Sequence, residues 1–235
     1  MKLSIVIPAY NEEKRIRKTL ENLSDRLTGQ CEIVVVSEST DKTDDIVLNF
    51  SKRAPFVKLI TSKRRLGKGG AFKKGVENST GDIVLLLDSD LPVFLSDVEN
   101  VTSSIGEADV AVASREIEGT RILVYPPPTR VFAGKAYAKM VNIMFDLHVK
   151  DPQCGCKAFK MEVLKNVLPS LVSNGFDFDT ELLFRCKKMG YKIKEIPVNW
   201  SYKPDSKVNL FKDTVKMGKG VVKLWLKTHA ATQKN

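Results

Sequence analysis

The stretch DIVLLLDSD, residues 82–90, decides the fold. Five consecutive apolar residues, 83–87, read as a strand buried on both faces, the pattern of central strands in parallel sheets. Two carboxylates, Asp88 and Asp90, then leave the strand at i and i+2 and project to the same side. Side by side they repel each other unless a cation sits between them. A hard divalent ion such as Mg²⁺ or Mn²⁺, its shell completed by substrate phosphates, resolves that conflict. Capping of the following turn is the plainer use of the same two residues.

Three earlier runs are also strand-like: LSIVI (3–7), EIVVV (32–36) and FVKLI (56–60). Amphipathic stretches separate them, with helices expected over about 11–27, after Thr43, and near 69–78. This β-α-β-α order implies a parallel sheet with helices on both faces. Pro8 is expected to end the first strand. Beyond residue 90 the pattern loosens. A helix near 95–105 leads to a strand at 109–113, then to a loop over 115–129 containing Pro126-Pro127-Pro128. A long apolar helix over roughly 130–147 follows. After it come FKMEVL (159–164), a helix across 180–189, the strand-like KIKEIPVNW (192–200) and a C-terminal helix over about 207–227. No internal repeat or linker-like composition divides the chain, so one domain is expected.

The 235 residues hold 38 Lys and Arg against 28 Asp and Glu, a formal charge of +10, with 43% hydrophobic residues. That apolar content excludes disorder, and no run approaches the ~20 apolar residues of a membrane span. The start MKLSIVIPAY lacks a signal peptide's long apolar region, which predicts a cytoplasmic chain. Residues 201–235 contribute eight Lys and two Asp, a net +6, and leave +4 for the rest. Such a tail suggests an anionic partner, either membrane or nucleic acid. The four cysteines, at 31, 154, 156 and 186, make no Cys-x-x-Cys, and neither His148 nor His229 stands at metal-ligand spacing. No zinc site is expected, and Cys154 and Cys156 read as small packing residues.

Ligands of open parallel sheets bind beyond the carboxyl ends of the strands. Three further polar motifs stand there. In Pro8-Ala9-Tyr10-Asn11-Glu12, Tyr10 can stack on a base, Asn11 can cap a helix and Glu12 can face a ligand. Ser37-Glu38-Ser39-Thr40-Asp41 follows the second strand. Arg65-Leu66-Gly67-Lys68-Gly69-Gly70 follows the third, where glycines permit close approach and Lys68 with Arg65 can meet a diphosphate. It is no P-loop, because the spacing is wrong. Each of the three, taken alone, equally suits an ordinary turn.

Read in order, IVIPAYNEE, VVVSESTDKT, GKGGA and LLLDSD resemble the nucleotide-sugar half of an inverting family-two glycosyltransferase. DPQCGCKAF (151–159), FDFDTELL (176–183), EIPVNW (195–200) and MGK (217–219) narrow the resemblance to dolichyl-phosphate glucosyltransferases and related polyprenyl-phosphate hexosyltransferases. The resemblance implies a GT-A fold, a Rossmann-like, mostly parallel α/β sheet with a C-terminal amphipathic helix. It implies a nucleotide-sugar half over 1–91, an acceptor half over 92–200, a basic helix over 201–228 and a tail over 229–235. It places the donor on Pro8, Tyr10, Glu12, Glu38, Asp41, Lys68 and Asp88, with Mg²⁺ or Mn²⁺ on Asp88 and Asp90. Asp90, Arg115 and Arg130 take catalytic roles, the two arginines holding an acceptor phosphate. Asp151, Gln153, Asp177, Asp179 and Glu181 are the implied sugar or acceptor contacts. Glucose from UDP-glucose is the implied donor and a polyprenyl or dolichyl phosphate the acceptor, joined with inversion. Where the family usually carries Asp-Asp-Gly-Ser, this chain has SESTD. Where mannosyl members carry Gln, it has Leu91-Pro92.

A mannosyltransferase using GDP-mannose is the nearest alternative. A sugar-phosphate nucleotidyltransferase would want a Gly-rich, Arg-containing loop after strand one, and PAYNE stands there instead. A nucleic-acid module would spread Arg and aromatics over one face, whereas the excess charge is mostly Lys on one helix. A membrane adaptor without catalysis would keep the tail. On that helix Lys212, Lys216, Lys219, Lys223 and Lys227 form one stripe beside Leu210, Phe211, Val215, Val221, Val222, Leu224, Trp225 and Leu226. A stripe of this kind suits either an anionic lipid surface, approached peripherally from the cytoplasm, or a core-facing helix with a solvated Lys side. The helix at 130–147 is a second candidate for lipid contact.

Overall fold

The computed structural model describes residues 1–26, 31–175, 177–203 and 210–232, without the side chains of 210–215 and 229–232. Nine strands and eight α-helices are assigned among them. They are β1 (Leu3–Ala9), α1 (Ile16–Arg26), β2 (Cys31–Ser37), α2 (Thr43–Ser51), β3 (Val57–Thr61), α3 (Gly67–Glu77), β4 (Ile83–Leu87) and α4 (Leu95–Ser103). Then follow β5 (Val110–Ser114), β6 (Arg121–Val124), α5 (Pro128–Phe145), β7 (Cys156–Lys160), α6 (Met161–Val167), α7 (Phe178–Lys188), β8 (Ile193–Pro197), β9 (Asn199–Ser201) and α8 (Leu210–Thr232).

Seven strands form one sheet in the order β3-β2-β1-β4-β7-β5-β8. All its pairings are parallel except those of β7, which runs antiparallel to both β4 and β5. Period-two alternation divides the strand side chains between two cores. Ile5, Ile7, Leu85 and Leu87 face α1, α2 and α4, while Val6, Val84 and Leu86 face α3, α5, α6, α7 and α8. Both faces are covered, as the unbroken apolar strands require.

Three departures from the sequence reading have simple causes. Pro8 does not end β1: the strand continues to Ala9 with Pro8 opposite Val36. The β4 register stops at Val6, so at Pro8 the strand needs partners on the β2 side only. The loop expected over 115–129 contains β6, which pairs with β9 in a small second sheet. Cys156–Lys160 becomes a central strand, although CKAFK carries a lysine at each end of its apolar pair and offers no strand periodicity. Similarly, KIKEIPVNW is not one strand but two, β8 and β9, divided at Val198.

The long helix expected at 130–147 starts on Pro128, where a missing N–H costs nothing, and ends before Asp146 in the left-handed region (φ 50°). α8 packs on α5 and α7 through Val221 and Leu224, which join the core, while Lys219, Lys223 and Lys227 point outward. Lys207, where this helix was expected to begin, and the side chains of Leu210, Phe211, Lys212 and Val215 lie outside the described residues. No described helix is long and apolar enough to cross a membrane.

Candidate active site

The motifs meet at the carboxyl ends of β1, β2, β3 and β4. Asn11, left-handed at φ 55°, stitches the first two loops together. Its N–H donates to Ser39 Oγ at 2.8 Å, and its Oδ1 accepts the Thr40 N–H at 2.8 Å. One residue on, the Glu12 N–H donates to Thr43 Oγ1 at 2.7 Å. Asp41 accepts the N–H groups of Thr43, at 3.0 Å, and Glu13, at 3.3 Å. Tyr10 lies under the Arg65 guanidinium, whose carbon is 3.2 Å from the ring centroid. One aromatic face is thus backed by a cation, a geometry that favours the ring.

Glu38 is buried beneath the turn into α3. Its carboxylate accepts the N–H groups of Leu66 and, at 3.2 Å, Gly67, and it pairs with Arg65 Nη1 at 3.1 Å. A carboxylate at this helix start is favoured by the exposed amides and the dipole. The glycines of this turn accommodate protein. Gly67 is left-handed (φ 72°), and a Cβ there would stand 2.3 Å from the Asn174 carbonyl oxygen. The Gly69 N–H donates to that same oxygen at 3.0 Å. The close approach read from GKGG is therefore made by loop 171–175.

From α3, Lys68 reaches inward and starts a ladder of alternating charge. Its Nζ lies 3.0 Å from Asp88 Oδ1 and 3.2 Å from Asp179 Oδ2. The other Asp179 oxygen is 2.6 Å from Lys157 Nζ, which also donates to the Cys154 carbonyl at 2.6 Å. Asp179 and Lys157 are almost fully buried, so each charge depends on the other. Burial pulls the Lys68 ammonium toward neutrality, but Asp179 and Asp88 more than offset it and raise its pKa. Asp88 is fixed from behind as well. Its N–H donates to the Gly155 carbonyl at 2.9 Å, and a Cβ on Gly155 would fall 1.7 Å from Asp88 Oδ2. Only glycine fits there.

Asp90 stands at the edge of this ladder. Burial, together with the Asp88 charge, pushes its pKa up to about 6, against the pull of Arg15. The guanidinium of Arg15 is 3.7 Å from Asp90 and 2.7 Å from Glu12. Leu91 follows with φ 44°, a strained position for a branched residue. Beside Asp90 opens a cavity of about 240 Å³, with Lys14, Arg15, Lys18 and Lys203 in its wall. The donor set suits a hard divalent cation, since two carboxylates that resist sharing negative charge are relieved by one. Among the described residues no third His, Cys, Asp or Glu joins them, so other ligands would come from phosphates and water.

Across the site, Arg115 and Asp151 form a two-pronged pair: Nε to Oδ2 at 2.6 Å and Nη2 to Oδ1 at 2.8 Å. The Arg115 N–H also donates to Oδ2 at 2.9 Å. Burial would raise the Asp151 pKa, but Arg115 holds it below the usual carboxylate range. Glu195 of β8 accepts the N–H groups of Lys150 and Asp151, at 2.9 and 3.0 Å, and so aims the carboxylate. Arg115 lies 5.2 Å from the Trp200 ring centroid and Arg130 lies 5.4 Å from that of Tyr202, two cations over neighbouring aromatics of one strand end.

Among the expected sugar contacts, Gln153 is half-buried within DPQCGCK. Asp177 precedes α7, its carboxylate lying where a Gly220 side chain would be. Asp179 gives both oxygens to lysines. Glu181 is wholly buried, accepting the Val172 and Ser173 N–H groups and pairing with Arg185 at 2.6 Å. It braces loop 171–175 and has no exposed surface to offer a sugar.

Sequence reading missed Lys157, Arg15, Gly155 and the Trp200–Tyr202 shelf. No local signal pointed to Lys157, since the strand that buries it shows no apolar periodicity. Cys154, Cys156 and Cys186 are buried free thiols, with pKa values raised by burial, which agrees with a packing role.

The sequence profile of Glycosyl transferase family 2 matches residues 4–168. Glycosyltransferase AglD of Haloferax volcanii is 31% identical over 233 residues, covering 96% of this chain. This chain spans 37% of that protein's length. A dolichyl-phosphate beta-glucosyltransferase of Saccharomyces cerevisiae is 30% identical, with 94% of this chain and 73% of the yeast protein aligned. A glucosyl-3-phosphoglycerate synthase from Mycobacterium tuberculosis, solved with UDP, superposes at a TM-score of 0.71 and 20% identity, over 96% of this chain and 79% of that one. The same synthase solved with Mn²⁺, UDP-glucose and phosphoglyceric acid gives 0.71 at 18% identity, with the same coverage.

Proposed function

The chain belongs to glycosyl transferase family 2, and from that membership we propose that it transfers glucose from UDP-glucose to a polyprenyl or dolichyl phosphate with inversion. The relatives named for dolichyl-phosphate glucosylation, aligned over 94% of the chain, support the acceptor class. The structural relative crystallised with Mn²⁺ and UDP-glucose supports the donor and a divalent ion, Mg²⁺ or Mn²⁺.

One observation carries the reading. Segment 151–155 grips Arg115 at one end, through Asp151, and Asp88 at the other, through the Gly155 carbonyl. A cationic phosphate holder is thereby fixed within a few residues of the acidic donor motif. Four residues of extended chain span at most about 14 Å, so donor and acceptor phosphates can meet there.

Asp88 and Asp90 would hold the cation, and when bound it stabilises charge on the departing nucleoside diphosphate. The chain's own residues do the rest. The welded loops 8–12 and 37–41 cradle the nucleoside, with Tyr10 offering a ring and Asp41 a carboxylate. Lys68 fixes the Asp88 oxygen. Arg115 and Arg130 hold the acceptor phosphate, Arg115 through guanidinium N–H groups other than the two that Asp151 takes. A phosphate oxygen is already anionic at pH 7, so attack at the anomeric carbon needs orientation more than a general base. In-line displacement turns an α-linked donor sugar into a β-linked lipid phosphate. We place the work at an anionic membrane surface on the cytoplasmic side, with the outward Lys219, Lys223 and Lys227 of α8 meeting lipid headgroups.

Radiolabelled UDP-glucose incubated with polyprenyl phosphate and Mn²⁺ should give a chloroform-soluble product that is lost with Asp90→Ala. Transfer from GDP-mannose instead would replace the glucosyl reading with the mannosyl one. No lipid product from either donor would end it.

A further inference from the structure

The end of β6, the turn after it and the first turn of α5 carry apolar surface that the donor and acceptor machinery does not use. Leu123, Val124 and Tyr125 are consecutive and exposed to 58, 48 and 72%. Phe132, one turn into α5, is exposed to 77%. Three adjacent exposed apolar side chains are a liability in water unless something covers them. Pro126-Pro127-Pro128 follows directly, restricting φ through the turn, so the tip is held out stiffly.

Charge narrows what covers it to an anionic surface. Residues 119–145 contain Arg121, Arg130, Lys135 and Lys139 and no acidic residue. Lys135 pairs across the surface with Glu116, at 3.3 Å. An apolar tip set among cations matches the boundary of an anionic bilayer, where aromatic and aliphatic side chains enter the acyl region and cations stay with the headgroups. A protein partner of the same size would ordinarily bring carboxylates to these cations, and nothing on the segment would repel it; that occupant is decided by the experiment below.

We propose that this tip, Leu123-Val124-Tyr125 with Phe132, inserts into an anionic lipid bilayer and sets the orientation of the active site on it. The inference rests on the lipid-phosphate reading for its purpose but not for its existence. Arg130 lies five residues beyond Tyr125 at the foot of α5, above the Tyr202 ring, and β6 itself pairs with β9, which carries Trp200 beneath Arg115. The apolar-to-cationic step along the chain therefore copies that of a prenyl phosphate standing in a membrane. With the tip in the acyl layer, the two arginines sit at headgroup depth. The α8 lysines add attraction to the surface; the tip adds depth and direction.

The test uses the full chain with vesicles of phosphatidylcholine alone or with roughly 30–40% phosphatidylglycerol, enough charge to engage a few basic residues. The variant Leu123→Ser/Val124→Ser/Tyr125→Ser/Phe132→Ser should sediment with anionic vesicles at least ~10-fold more weakly than the parent, which is about 1.4 kcal/mol. A Tyr125→Trp chain should be quenched by lipids brominated on the acyl chain. Lys219→Glu/Lys223→Glu should weaken binding yet leave that quenching intact in the bound fraction. The serine variant should keep the parent's melting temperature and its transfer to a detergent-dispersed short-chain prenyl phosphate, while losing transfer to a long-chain acceptor in vesicles. Equal sedimentation of parent and serine variant, or no additional quenching when Tyr125→Trp is introduced, overturns the proposal. A concentration-dependent dimer that the serine variant abolishes overturns it too, by giving the tip to a second copy. If tip-dependent insertion is found but no prenyl phosphate is glucosylated, the insertion stands and the proposed activity falls.

Discussion

At the scale of single residues, Asp90 is the most informative group. Its folded pKa of about 6 lies above an ordinary carboxyl value of 3.8 because burial and the Asp88 charge disfavour the anion. A carboxyl raised in this way destabilises the fold when ionised. In metal-free protein, stability should therefore fall as pH rises from about 4 to about 6 and level off above. Asp90→Asn in EDTA at about pH 7.5, beyond that titration, should melt higher than the parent, while its Mn²⁺-dependent response to UDP disappears. A lower melting temperature would show that the Arg15 contact outweighs the repulsion. Lys157 makes the opposite case. Replacing it by Met leaves the buried Asp179 with Lys68 alone, and breaking such a pair costs about 3–5 kcal/mol. Urea denaturation should show that loss, and Lys157→Met/Asp179→Leu should recover part of it. At Gly155 the conflict is steric. Gly155→Ala places a methyl on Asp88 Oδ2, so the variant should fold yet lose metal-dependent UDP binding by calorimetry.

At the scale of elements, strands register through apolar alternation but are locked together by a few buried polar groups. Glu32 on β2 accepts from Ser4 Oγ of β1 at 2.6 Å and from the Thr80 N–H at 2.6 Å, and it pairs with Lys58 of β3 at 2.6 Å. Burial alone would raise its pKa. The Lys58 pair and the donors from Ser4 and Thr80 outweigh burial and lower it to about 2. The stability this contributes is fully present above an unfolded value near 4.5 and is lost as pH falls from there toward 2. Acid titration of Glu32→Gln followed by circular dichroism should show a weaker dependence over about pH 2 to 4.5. At neutral pH the variant should lose about 1–3 kcal/mol, the cost of leaving buried partners unsatisfied. β7 shows where element-level reading stops. Its lysines disguise a central strand, because Lys157 is buried only by virtue of Asp179, a residue 22 positions away.

At the scale of the molecule, binding should couple to stability. A divalent ion with UDP at about 100 times Kd should add roughly 2.7 kcal/mol, visible as a raised melting temperature that EDTA reverses. UDP giving the same shift in EDTA would separate nucleotide binding from Asp88 and Asp90. The sequence by itself determined the parallel β1–β4 core, because apolar runs of strand length separated by amphipathic stretches leave a chain few other ways to bury its surface. It also determined which strand ends carry polar motifs, since those motifs are contiguous. Tertiary structure alone decided which partners the motif residues meet. Glu38 and Glu181 became braces, Asp179 the centre of a lysine ladder, and GKGG the seat of loop 171–175. Tertiary structure also decided the antiparallel strand β7, the β6–β9 sheet and the inward face of α8. Local sequence encodes periodicity and turn chemistry, whereas a buried charge or a close backbone approach takes its meaning from partners far along the chain.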